Sequence, residues 1–312
     1  MVAVNLMGGL GNQLCMYAYA MYLREKYHYE VVLDSSWFDK YGFDNAFVEK
    51  REMLLHYFNV KIPIISLSLS DKMKILPFGA KILYVLNALA FRTFYKDLRL
   101  IENKNMPIER KVFDKNMLEI LDHSYISGYF ASYEYFRDLD LDLKFIGNLD
   151  NKNLEILEMI KNTKDSIGLH IRRGDYVNLH GYVKLGGAYY NSAITYMNKR
   201  LGGGNRVYFI FSNDVDFVKN EFIKHIKSDI KYHIIDIVDN NPAFEMYLMS
   251  CCKHQIIANS TFSFWAALLN ENKDKIVITP DRFAYDRDED IFPKEWIRIN
   301  HLWGQLLMIL MC

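Results

Sequence analysis

Ser166-Ile167-Gly168-Leu169-His170-Ile171-Arg172-Arg173-Gly174-Asp175-Tyr176 is the stretch that decides the fold. A short, mostly apolar run leads straight into two arginines, a glycine and an acid. That pattern predicts a buried strand over Ser166 to Ile171 with a charged turn at its carboxyl end. The same alternation repeats toward the C-terminus. Helical spacing covers Gly187 to Leu201, and strand runs follow at Arg206 to Phe211, Tyr232 to Ile235, His254 to Ala258 and Lys275 to Thr279, the last strand expected. Between them lie helices over Val215 to Ile226, Pro242 to Cys251 and Phe262 to Leu269, the second with proline near its start, where helices favour it. Short apolar runs alternating with helices predict a parallel sheet with right-handed crossovers.

The N-terminus predicts a separate βαβ unit. Val2 to Leu6 and Tyr29 to Leu33 read as strands flanking a helix over Asn12 to Tyr27. The region from Ser35 to Gly147 is less regular, with helices expected at Ala46 to Tyr57, Ala80 to Phe91 and Ser132 to Leu139, and a strand at Tyr125 to Phe130. The polar stretch Gly147 to Asn153 is the expected break, dividing the chain into domains 1–150 and 151–312. A chain of 312 residues suits two domains.

Composition removes several function classes. Lys+Arg and Asp+Glu are 38 each, so the electrostatic footprint of a nucleic-acid binder is missing. Cys15, Cys251, Cys252 and Cys312 form neither a CxxC pair nor a zinc spacing, and read as free thiols in a reducing compartment. The N-terminus lacks the basic and apolar regions of a signal peptide. The apolar stretch Ile75 to Phe91 is interrupted by Pro77, Lys81 and Asn87 and reads as a buried or amphipathic helix, too short for a membrane span. The apolar tail from His301 to Cys312 either docks on the protein's own core or lies on a membrane surface. The expected location is cytoplasmic, with peripheral contact at the inner face of the membrane left open.

In open parallel sheets ligands bind beyond the carboxyl ends of the strands. Arg172 and Arg173 follow the first strand of the second half, Ser212-Asn213-Asp214 the second, Asp236 the third and Asn259-Ser260-Thr261 the fourth. Strand alternation sends His170 and Arg172 to one side and Ile171 to the other. Guanidinium groups suit a diphosphate leaving group, whose charge grows as its bond breaks. Asp175 either orients an arginine or acts as a base. Ser260 or Thr261 can cap the helix near Phe262, whose backbone N–H groups favour an anion. Gly8-Gly9-Leu10-Gly11-Asn12-Gln13 follows the first strand of the chain. As a dinucleotide fingerprint, with Asp34 as its acid, it supports a rival oxidoreductase reading, but Leu14 stands where a third small residue should pack. Asp-x-Asp patterns at 138–142 and 286–290 do not directly follow an apolar strand, and no metal site is expected.

Three blocks together resemble glycosyltransferase family 11, the α-1,2-fucosyltransferases: GGLGNQ at 8–13, HIRRGDY at 170–176 and MSCCKHQIIANSTFSFW at 249–265, with FSND at 211–214 also similar. Leu14-Cys15-Met16 departs from the common Met-Phe-Gln, and Phe264 stands where Trp is common. The resemblance implies a GT-B architecture, two Rossmann-like domains facing across a cleft. It implies inverting transfer of fucose from GDP-β-L-fucose to the 2-hydroxyl of a terminal galactose, with no metal or cofactor. A bacterial enzyme of surface polysaccharide or lipopolysaccharide synthesis fits that picture. Arg172 would bind the donor diphosphate; Asp175 is the candidate base, with His180, or an acid of the first domain, or no strong base at all as the alternatives. His170, Arg173, Asn213, Asn259, Ser260, Thr261 and Phe262 would line the donor site, and Gly9, Gly11, Asn12 and Gln13 the acceptor side. Intact Arg172 argues against a catalytically dead sugar-binding protein.

Overall fold

The computed structural model describes residues 1–40, 50–75, 124–173, 181–227, 229–237, 241–285, 291–302, 304 and 306–307. The chain forms two units, Met1–Leu143 and Lys144–Cys312. The division falls earlier than the expected break because residues after Leu143 pack into the second unit: the Phe145 ring stacks on Tyr247 at 4.4 Å. The polar stretch expected to link the domains instead starts a helix, Asn151–Asn162, whose first turn is capped by Asp150 accepting from the Asn153 N–H at 2.9 Å.

The first unit carries a parallel sheet in the order β3-β2-β1-β4, with β1 Val2–Asn5, β2 Val31–Asp34, β3 Ile64–Ile65 and β4 Ser124–Ile126. Helix Leu10–Tyr27 connects β1 to β2 and is buried on nearly every face from Leu10 to Leu23, so its sequence shows no clean amphipathic stripe. It ends at His28, which adopts the left-handed conformation and donates its N–H to the Arg24 carbonyl.

Three expectations for this unit are corrected. The part of Ala46 to Tyr57 that is described holds only a 3₁₀ turn, Leu55–Tyr57. The Gln13 amide draws residues 52–54 away from helix by donating to the Glu52 carbonyl at 2.8 Å and accepting from the Leu54 N–H at 2.9 Å. Ser132 to Leu139 shrinks to the turn Tyr133–Tyr135, where Tyr135 packs edge-on against Tyr19. The strand expected through Phe130 stops at Ile126; Phe130 has φ 44° and stacks on Tyr19 with centroids 3.9 Å apart. The helix expected at Ala80 to Phe91 lies outside the described residues.

The second unit is built on a sheet in the order β11-β10-β9-β8-β5-β6-β7. Its strands are β5 Asp165–Ile171, β6 Arg206–Ser212, β7 Tyr232–Ile234, β8 His254–Ile256, β9 Val277–Pro280, β10 Ile297–Ile299 and β11 Leu306–Leu307. All pair in parallel except β11, which runs antiparallel to β10. Alternation sorts β5: Ile167, Leu169 and Ile171 pack with Tyr189, Tyr190, Ala193, Ile194 and Met197 of helix Gly187–Leu201. Each fully buried isoleucine, leucine or methionine among them contributes about 1.5–3 kcal/mol of apolar transfer.

Among the described residues β11 is the last strand, not β9, and between them lies β10. Its run of three residues centres on a buried arginine, Arg298, and so lacks an apolar signature. The helix expected over Val215 to Ile226 is a broken one, an α-turn Val215–Phe217, a π-turn Val218–Phe222 and a 3₁₀ turn Ile223–His225. Gly304 closes the unit. It has φ 65°, and a Cβ there would lie 2.2 Å from Ser192 Oγ, so a side chain would collide with helix Gly187–Leu201. Of the apolar tail, Leu306–Leu307 pairs with β10 on the protein's own sheet, and 308–312 lie outside the described residues. No helix among the described residues is long and apolar enough to cross a membrane.

Candidate active site

The carboxyl edge of the second sheet gathers the polar groups. β5 ends in the core with Ile171, so His170 faces the opposite layer, where its ring lies 5.3 Å from Phe262. The His170 imidazole is buried, and Nδ1 has no hydrogen-bond partner. Burial, then the charge of Arg172, push its pKa down to about 3, so the ring is neutral at working pH. Its carbonyl is held by the Tyr190 hydroxyl, donating at 3.1 Å. Arg172 follows directly and is half-buried.

The field of Arg172 also reaches Glu245, in the first turn of helix Pro242–Ser250. Burial raises this carboxyl to about 7, and Arg172 opposes the rise. Glu245 is the site group that the sequence reading missed. Its signal was an acid three residues into a proline-started helix that follows a strand's carboxyl end. Asn241 caps that helix by accepting from the Ala243 N–H at 2.9 Å.

Arg173 points to its own neighbours. Its guanidinium stacks 3.8 Å over the Phe217 ring, and Nε lies 3.3 Å from Asp214 Oδ2. Its backbone N–H donates to Asn213 Oδ1 at 3.0 Å. Asp214 in turn accepts from the Phe217 N–H at 3.0 Å, capping the broken helix. Arg173, Asn213, Asp214 and Phe217 thus form one brace between the ends of β5 and β6.

The loop after β8 divides its labour. Asn259 is buried and donates to the carbonyls of Val183 and Phe283, both at 2.8 Å, which ties three segments together. Ser260 caps helix Thr261–Leu268 by accepting from the Phe262 N–H at 3.3 Å, and Thr261 is buried in the first turn. That helix end and Arg172 follow the adjacent strands β8 and β5, a pair of anion-favouring groups on one edge. Asp175 lies outside the described residues.

In the first unit Gly8 has φ 72°, and a Cβ there would lie 3.0 Å from Asn12 Nδ2. Helix Leu10–Tyr27 begins at Gly9 with no side-chain cap, and Gly9 has open space where a Cβ would stand. Gly11 is buried within the first turn. Gln13 is buried too, and besides gripping residues 52–54 it donates to the Gly8 carbonyl at 3.0 Å, so its amide holds the loop.

Asp34 is the acid that a dinucleotide site would turn toward a ribose. Instead it is fully buried and bound by its own chain. Lys72 Nζ stands 2.7 Å from Oδ2, and the Tyr125 hydroxyl donates to the same oxygen at 2.6 Å. The N–H groups of Ser36 and Leu67 donate to Oδ1, each at 2.9 Å. The aspartate run at 138–142 is likewise engaged: Asp138 with Arg137, Asp140 with the Asp142 N–H, Asp142 with Lys61. Residues 286–290 lie outside the described residues. Among the described residues no group of three or more His, Cys, Asp or Glu side chains is placed to hold a metal ion.

The family described as Glycosyl transferase family 11 matches residues 1–300. The chain belongs to that family. It is similar to the O-antigen biosynthesis glycosyltransferase WbnK of Escherichia coli, 30% identical and covering 94% of this chain and 99% of the relative. An alpha-1,2-colitosyltransferase of the same organism is 29% identical, over 96% and 99% of the two chains. Among solved structures, the fucosyltransferase NodZ from Bradyrhizobium covers 86% of this chain, and is itself covered to 91%, at 15% identity and TM-score 0.49. This chain is therefore a glycosyltransferase with two α/β units built on parallel sheets. Family membership and the closed shell around Asp34 both disfavour the oxidoreductase reading.

Proposed function

We propose that the protein is an inverting galactoside α-1,2-L-fucosyltransferase using GDP-β-L-fucose. The observation that carries this reading is the juxtaposition of Arg172, directly after β5, with the capped end of helix Thr261–Leu268 after the neighbouring β8, in a chain of this family. The second unit takes the donor, with the diphosphate on Arg172 and the helix end. Neutral His170 and Phe262 form an apolar-sided floor, and Glu245 accepts the adjacent N1–H and N2–H groups that distinguish guanine. Arg173 and Asn213 hold the turn rather than the nucleotide, and Asn259 holds the loop. The first unit takes the galactoside at Gly9 and Asn12, with Gly11 and Gln13 shaping the turn.

In the reaction the galactose 2-hydroxyl oxygen attacks the anomeric carbon from the face opposite GDP. The bond from that carbon to the phosphate oxygen breaks, and its electron pair leaves on GDP. Arg172 stabilises the growing charge more than it stabilises the bound donor, and therefore acts on turnover. The hydroxyl proton leaves late, and Asp175 is the candidate to receive it. No metal or cofactor is assigned a step.

Colitosyl transfer is a second reading, favoured by the colitosyltransferase relative; colitose is fucose without its 3-hydroxyl. The test incubates the protein with GDP-fucose or GDP-colitose and a galactoside, follows GDP release, and determines product linkage by NMR. An α-1,2-fucosyl product is expected. Preference for the 3-deoxy donor would favour the second reading, and stabilisation by NAD or NADP without GDP release would overturn both.

A further inference from the structure

An Asp–His pair stands at the same sheet edge, two and three strands away from β5. Asp281 directly follows β9, and His301 follows β10 after Asn300. The Asp281 carboxylate is clamped by three groups: His301 Nδ1 at 2.7 Å, the His301 N–H at 2.9 Å and Asn300 Nδ2 at 2.9 Å. With Nδ1 donating to the acid, Nε2 is the remaining valence of the ring. It is buried and has no hydrogen-bond partner, on a residue only 7% exposed. A buried polar atom left unmatched costs about 1–3 kcal/mol, so it calls for a reason.

Beside it lies an aromatic ring that the core does not use. Tyr285 is 52% exposed and presents its ring edge-on to His301, with centroids 6.2 Å apart and planes at 69°. Leu302, next to the histidine, is 58% exposed. Tyr285 is anchored through its backbone, its N–H donating to the Gly181 carbonyl at 3.1 Å, so the side chain can turn without unfolding the loop. Adjacent strands stand about 4.8 Å apart, which puts β9 and β10 roughly 10–14 Å from β5, beyond the reach of the phosphates but about two to three sugar rings from them.

We infer that Tyr285, His301 and Asp281 form a subsite for a pyranose of the acceptor glycan, one residue or more beyond the galactose that receives the transferred sugar. Tyr285 turns from the imidazole onto the apolar face of the sugar ring, and a hydroxyl then meets Nε2 of a histidine already oriented by Asp281. The subsite rests on the proposed glycosyl transfer. It adds to that reading a share of acceptor recognition in the second unit and a preference for acceptors longer than a single galactose.

The experiment compares initial rates with methyl β-galactoside and with a galactose-terminated trisaccharide, for the wild type, Tyr285→Ala and His301→Gln. The wild type should have a lower KM for the trisaccharide. Tyr285→Ala should raise the trisaccharide KM about tenfold while its methyl-galactoside KM, kcat and donor KM stay within about twofold; the tenfold corresponds to about 1.4 kcal/mol of binding. His301→Gln should act in the same direction. Tyr285 is exposed, so its variant stays informative even if His301→Gln folds poorly. An unchanged trisaccharide KM in Tyr285→Ala, or an equal loss with both acceptors, would overturn the subsite. Wild-type turnover with neither acceptor would instead strike the proposed reaction, whereas turnover with an unselective KM strikes only the subsite.

Discussion

The two sheets place charged residues at equivalent points and treat them oppositely. At the end of β2 in the first unit, Asp34 is enclosed by Lys72, Tyr125, Ser36 and Leu67, every contact made by its own chain. At the end of β5 in the second unit, the charge of Arg172 acts on a buried imidazole with an unmatched nitrogen and on a carboxyl raised to about 7. A charge at a strand's carboxyl end is therefore not a ligand group by position alone. The Asp34 shell holds segments of the fold together, while the environment of Arg172 costs stability and is suited to a bound anion.

Asp34→Ala gives the largest expected effect. It leaves the Lys72 ammonium facing a buried site without its carboxylate, so unfolding in urea should show a loss of about 3–5 kcal/mol. Burial alone would raise the pKa of Asp34, but the hydrogen bonds from Lys72, Tyr125 and Leu67 and the lysine charge outweigh it and hold the group below the ordinary value. Its stabilisation is then present above the unfolded carboxyl pKa and is lost as pH falls through the lower folded value. The gap between wild type and variant should narrow below about pH 4. A variant as stable as wild type at pH 7 would remove the contrast between the two edges.

Arg172→Ala comes next: roughly a hundredfold or greater loss of turnover, about 3 kcal/mol, with the melting temperature nearly unchanged. Arg172→Lys should also be badly impaired, because the two-pronged geometry goes with the guanidinium. More than about a tenth of wild-type turnover in a folded Arg172→Ala protein would refute the catalytic assignment. Glu245 sharpens the same edge. Ionised Glu245 is the form that accepts from guanine, so GDP affinity in the wild type should rise as pH climbs through about 7. Glu245→Gln should weaken GDP roughly tenfold at pH 8 and remove that rise, as calorimetry would show.

Arg173→Ala should cost about 1 kcal/mol of stability, since its ion pair is partly exposed and its cation–π contact modest. Its kinetic loss should be well below that of Arg172→Ala; equal losses would make the brace a ligand site. The smallest expected effect is none: initial rates in EDTA should match those in buffer, and loss restored by manganese or magnesium would overturn metal-independent transfer.

Much of the second unit was legible because β5, β6 and β9 are largely buried on both sides and read as apolar runs, with helices between them. Helix Gly187–Leu201 was readable from end to end. Arg172 and Ser260 were legible as site candidates because a parallel sheet puts its loops at one edge, wherever the loops lie in the chain. What the sequence by itself determined is this: the βαβ start, the alternating elements after residue 165, and the edge that carries the polar groups, all set by local periodicity. Tertiary structure alone decided which polar groups find their partners within the chain. Gln13, Asn259 and Arg173 carry the same chemistry in sequence as a ligand-binding amide or guanidinium, yet their partners are backbone carbonyls, N–H groups and rings brought from up to 76 residues away. Hydrogen bonds and ion pairs act over a few ångströms, and only the folded chain determines which groups come that close.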